Sequence, residues 1–70
     1  MEEVKFASLD EILTAQDIAN YLKISRGTVY GFLKRRPEHG GIPNIAIGIT
    51  KRVEKKDFAK WLEAQKGKAS

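Results

Sequence analysis

The chain has no cysteine and, in 70 residues, one methionine, one tryptophan and one histidine. Without cysteine there is neither a disulfide nor a thiolate metal site. Helix packing must therefore stabilise a domain near the lower size limit for chains that fold without staples. His39 sits in the loop-like run Glu38-His39-Gly40-Gly41 and has no second histidine or clustered carboxylates to complete a ligand set. No serine has an evident base to activate it. No catalytic residue, cofactor or metal is expected. No apolar run approaches the roughly 18 residues that cross a bilayer, and the N-terminus does not resemble a signal peptide, so a cytoplasmic setting is the default. No repeat, low-complexity tract or linker divides the chain, which reads as one domain.

Charge of one sign is missing locally. Residues 23 to 36 contain no acid, and Lys23, Arg26, Lys34, Arg35 and Arg36 give them a balance of +5. Residues 1 to 22 carry Glu2, Glu3, Asp10, Glu11 and Asp17 against Lys5 alone, a balance of −4. The overall charge of +4 thus hides a sharp change of sign. A basic block on one side of a small domain is the footprint of a polyanion partner, although a merely solvated basic surface has the same composition.

That change of sign falls inside the most structured stretch, Leu13 to Arg36. Thr14 with Asp17 three residues on marks a helix start, and Ile18, Ala19 and Leu22 form its apolar stripe with Tyr21 at the edge. Lys23-Ile24 breaks the pattern, and Ser25 offers a second N-cap. Two starts so close together predict a sharp corner between two short helices. In the second helix Val29, Phe32 and Leu33 share a face that should pack on the first. Gly27, Tyr30, Gly31 and Lys34 fall opposite, flanked by Thr28 and Arg35. Each glycine costs about 1 kcal/mol against alanine inside a helix. Two on one face fit either a close approach by a ligand or an exposed surface that simply tolerates them.

Around this pair the chain is plainer. Residues 1–12 form a weakly patterned, acidic lead-in, in which Val4, Phe6, Leu9 and Ile12 can set a short strand or irregular segment against the core. Pro37 ends the second helix, and Glu38 to Gly41 reads as a loop. From Ile42 the period suggests a hairpin, with Ile45 and Ile47 on one face and Val53 joining them. Gly48 supplies positive φ, the turn carries Thr50, and Lys51 and Arg52 make its tip basic. Glu54 to Gln65 returns to helical spacing, with Phe58, Trp61 and Leu62 inward and Lys55, Lys56, Lys60 and Glu63 outward. Trp61 reads as a core clamp across the helices. The domain proper spans 13–65, and 66–70 form a flexible basic tail. The fold class is α+β, mainly helical: two helices, a short two-stranded hairpin and a C-terminal helix.

The string LTAQDIANYLKISRGTVYGFLKR, followed by IPNIAIG and KRVEKKDFAKWLEA, resembles the excisionase-type helix-turn-helix domains, a branch of the MerR-like winged helices. The likeness runs from Leu13 to about Ala64. It implies a double-stranded DNA partner, the second helix in the major groove and the hairpin, or wing, on the adjacent groove. It also implies a bacterial or phage nucleoid setting, and work beside an integrase or as a small transcriptional regulator. Gly31 stands where relatives commonly carry a larger, often basic residue. Pro37 to Gly41 is longer than the usual connection. The long pairing helix of full-length MerR regulators has no counterpart in this sequence, and no small-molecule effector is expected.

On this reading Arg26 is long enough to fork onto a guanine edge, and Thr28 donates to a base or phosphate. Tyr30 and Lys34 reach backbone or base edges, and Arg35 reaches phosphate. Ser25 places helix amides near a phosphate, Gly27 and Gly31 permit close approach, and Lys51 and Arg52 hold the neighbouring groove. One small domain offers little surface, so further copies or a recombinase partner on adjacent sites are expected. The alternative is a protein-interaction module whose basic face docks on an acidic partner.

Overall fold

In a computed structural model, which describes residues 5–68, Thr14 and Asp17 form a reciprocal cap. The Asp17 amide donates to Thr14 Oγ1 at 3.0 Å, and the Thr14 amide donates to the Asp17 carboxylate at 2.9 Å. This cap opens α1, Ala15–Leu22. Its end is set by Lys23, which takes the left-handed conformation at φ 59°, while the Ile24 amide reaches back to the Ala19 carbonyl at 3.1 Å. Ser25 then caps α2, Arg26–Lys34, by accepting from the Thr28 amide at 3.2 Å. The corner is therefore made by two local signals two residues apart.

Pro37 stops α2 as expected, with Arg35 and Arg36 both extended. The following stretch is more ordered than a loop, since Pro37–His39 forms a 3-10 turn closed by left-handed Gly40. Gly41 then passes so close to α2 that a Cβ on it would run into the Arg35 carbonyl. The chain lies against the open end of α2, with the Ile42 amide donating to the Phe32 carbonyl at 3.1 Å. The Asn44 side-chain amide donates to the Leu33 carbonyl at 2.9 Å. These bonds satisfy carbonyls that a helix end leaves without partners.

The sheet has three strands rather than two. β1, Ile12–Leu13, pairs antiparallel with β3, Thr50–Glu54, which also pairs with β2, Ile45–Ile47, in the order β1-β3-β2. The register corrects the facing of the hairpin. Ile45 lies opposite Arg52 and Ile47 opposite Thr50, so both isoleucines share the outer face. Val53 points the other way, opposite Leu13, and both are buried. Ile12, expected against the core, is on the outer face and exposed. The turn is Gly48-Ile49 alone, with Gly48 at φ 62°, and Thr50 is already strand. The tip is thus apolar, and Lys51 and Arg52 sit behind it, half-buried.

α3 spans Lys55–Lys68. Glu54 belongs to β3, and residues 66 to 68, expected as flexible tail, continue the helix. Ala69, Ser70 and Val4 lie outside the described residues. The core draws on every layer: Leu13, Ile18, Ala19, Val29, Leu33, Ile42, Val53 and Phe58 are buried together. Phe58 is the centre of the aromatic set, with Phe6 at 6.2 Å, Tyr21 at 5.8 Å and Trp61 at 6.1 Å. Trp61 is half-buried and acts as a clamp. Its ring meets Phe32 edge-on at 5.2 Å, and its indole N–H donates to the Gly40 carbonyl at 3.0 Å. Phe32, expected to pack on the first helix, thus meets α3 through Trp61. Lys55 is not solvent-facing as expected: its ammonium donates to the Leu9 carbonyl at 3.2 Å and lies 5.0 Å from the Phe6 ring centroid. With the Lys55 amide on the Glu11 carbonyl at 2.8 Å, this ties the lead-in to the start of α3.

Candidate nucleic-acid interface

Because Val29 and Leu33 are buried, the opposite face of α2 must look outward, and the geometry shows what it presents. Arg26, Tyr30 and Lys34 follow one another at one-turn spacing and all three are exposed. Where Cβ atoms of Gly27 and Gly31 would stand, nothing beyond their chain neighbours and the backbone of α2 itself comes within 4 Å. Nothing in the described residues covers this face.

Arg26, Tyr30 and Lys34 form one wall of an open depression of about 630 Å³. Its other wall is the wing, through Ile49, Thr50, Lys51 and Arg52, and its end is the start of α1, through Thr14, Ala15 and Gln16. Its lining residues include four basic ones from two elements and, among the described residues, no acid, although strand alternation sends the Lys51 and Arg52 side chains to opposite faces of the ribbon. The exposed ion pairs Lys56–Glu54, at 3.5 Å, and Lys66–Glu63, at 3.7 Å, belong to other surfaces. A lining rich in basic residues and without acids suits an anion.

Five of the ten residues singled out from sequence meet here: Arg26, Tyr30, Lys34, Lys51 and Arg52. The other five are exposed but do not line the depression. Ser25 and Thr28 are turned to each other, their hydroxyl oxygens 2.8 Å apart, so both serve the helix start. Gly27 and Gly31 lie on the bare flank of α2. Arg35 lies beyond the helix with its guanidinium 5.6 Å from the Phe32 ring centroid. Arg52 is held by a bond from Nη1 to the Lys51 carbonyl at 3.0 Å.

Sequence reasoning missed Gln16, Ile49 and Thr50. Gln16 bonds Asn20 at 2.9 Å along the exposed side of α1, and its only signal was a polar residue in the first turn. Thr50 donates to the Ile47 carbonyl at 2.7 Å and so closes the turn. Ile49 had a better signal, an apolar residue at a turn position where polar residues are usual. No helix among the described residues is long and apolar enough to cross a membrane.

Comparison with curated proteins and with solved structures returned no match. A family model described as a helix-turn-helix domain matches residues 12–66, which takes in β1, both helices of the corner, the wing and most of α3. On that match, and with the corner, the exposed α2 face and the wing in place, the chain belongs to the excisionase-like helix-turn-helix domain family.

Proposed function

We propose that this chain is a sequence-specific double-stranded DNA-binding protein that serves as a recombination accessory factor or a small transcriptional regulator. DNA binding itself follows from membership of the helix-turn-helix family. The finer reading is carried by one observation: cations of α2 and of the wing line the same depression. A duplex has the matching shape, because a helix of about 10–12 Å diameter fits a major groove about 12 Å wide, leaving the wing over the neighbouring groove. In this arrangement Arg26, Tyr30 and Lys34 approach base edges and phosphates, and Lys51 and Arg52 grip the adjoining backbone. Phosphate contacts set affinity and register, and the few base contacts set sequence preference.

Selection of bound sequences from a random duplex pool, followed by binding isotherms over a range of salt, tests this. The reading predicts one enriched motif and a log–log salt slope of roughly −5, from five or six neutralised phosphates. Directly repeated motifs favour the recombination role, and an isolated palindrome favours regulation. Equal affinity for every duplex would remove the sequence specificity. Failure to bind any duplex at low salt would overturn the reading in favour of a basic face that docks on an acidic protein.

A further inference from the structure

Ile49 is fully exposed, at 102% of its reference area, at the end of the wing. It shares a two-residue turn with Gly48, whose Cβ position has nothing within 4 Å, so Ile49 is the one side chain at the tip. It lines the same depression as Arg26, Lys34, Lys51 and Arg52. Packing within the fold does not account for it, since the core ends at Val53 on the other face of the ribbon.

We propose that Ile49 is an apolar wedge, carried by the wing to the floor of the minor groove and seated against one base step, which it partly unstacks. This rests on the DNA-binding reading. The minor groove is about 6 Å wide, while paired strands already stand about 4.8 Å apart from axis to axis. Only the tip of such a ribbon can enter, and a tip of glycine plus one side chain is slender. Lys51 and Arg52, two and three residues behind, then fall at the level of the phosphates that rim the groove. An isoleucine has no hydrogen-bonding group with which to read a base edge. It selects instead for a step that opens easily, and pyrimidine–purine steps are the most deformable. A purely apolar protein surface does not suit Ile49, because anything approaching it from the depression meets Arg26, Lys34, Lys51 and Arg52, whereas a duplex brings phosphates beside the base step.

The test is 2-aminopurine fluorescence, with the probe moved along the duplex selected from the random pool and affinity measured in the same titrations. The full chain should raise emission at one step near the edge of its site by about threefold or more. Ile49→Ala should abolish that signal while costing less than about tenfold in affinity, and Ile49→Phe should restore it. Thermal melts verify that each variant is folded. An identical emission profile for Ile49→Ala and wild type, or a tight wild-type complex with no position lit, would overturn the wedge. Loss of all duplex binding by wild type at low salt would instead strike the DNA reading beneath it.

Discussion

Asn44 donates both of its side-chain amide bonds to main-chain carbonyls, and the one to Leu33, at 2.9 Å, fastens the entry of the wing to the last turn of the exposed helix. The two cationic walls of the depression are thereby held together by a residue that belongs to neither. Replacing Asn44 with alanine should cost about 1–3 kcal/mol, because the part-buried Leu33 carbonyl loses its partner. Asn44→Asp should cost at least as much, since an ionised carboxylate accepts only and would face two carbonyls. Thermal melts check this. At roughly 4–8 °C per kcal/mol for a domain of this size, a drop under 2 °C in both variants would show that the tie is not needed.

Glycines in and beside α2 are expected to respond with opposite sign. A Cβ at Gly41 meets the Arg35 carbonyl, so Gly41→Ala should destabilise the fold by about 2 kcal/mol or more through the forced backbone shift. A Cβ at Gly31 meets open space inside a helix, so Gly31→Ala should stabilise by about 0.5–1 kcal/mol. If α2 enters a groove, Gly31→Ala should also weaken duplex binding while raising the melting temperature. Denaturant titration paired with a gel shift separates these effects.

Ser25 caps α2, and the bond it accepts from the Thr28 amide gives it a structural role beside any DNA contact. Ser25→Ala should cost about 1 kcal/mol of stability. Ser25→Asp preserves the cap but brings a negative charge to the end of α2 that faces phosphate on the proposed reading. It should retain the melting temperature and lose duplex affinity. Full affinity in Ser25→Asp would place this end of the helix away from the backbone.

These contrasts also mark what was legible in the chain. The caps at Thr14 and Ser25, the stop at Pro37 and the positive φ at Gly48 depend on neighbours within a few residues, so local chemistry declares them. The exposed face of α2 follows from the burial of Val29 and Leu33 at helical spacing. What depended on distant partners was not legible. The inward turn of Val53 is fixed by its pairing with Leu13, 40 positions earlier, and Ile45 and Ile47 take the outer face through the β2–β3 register that sets them opposite Arg52 and Thr50. Lys55 looks solvated by periodicity, yet its partners, Leu9 and Phe6, lie in the lead-in. Arg35, expected on the flank of α2, is extended beyond the helix end with its guanidinium over Phe32. Registers and long-range ties of this kind leave no pattern in a window of ten or fifteen residues.

The central claim is that the outward face of α2 meets DNA, and charge reversal on that face tests it most directly. Arg26 and Lys34 are exposed on α2, so the double variant Arg26→Glu with Lys34→Glu should fold normally by circular dichroism. Fluorescence anisotropy with a labelled duplex at fixed salt should then show affinity falling by about a hundredfold or more, as two phosphate or base contacts become repulsions. Unchanged affinity in the folded double variant would contradict the account.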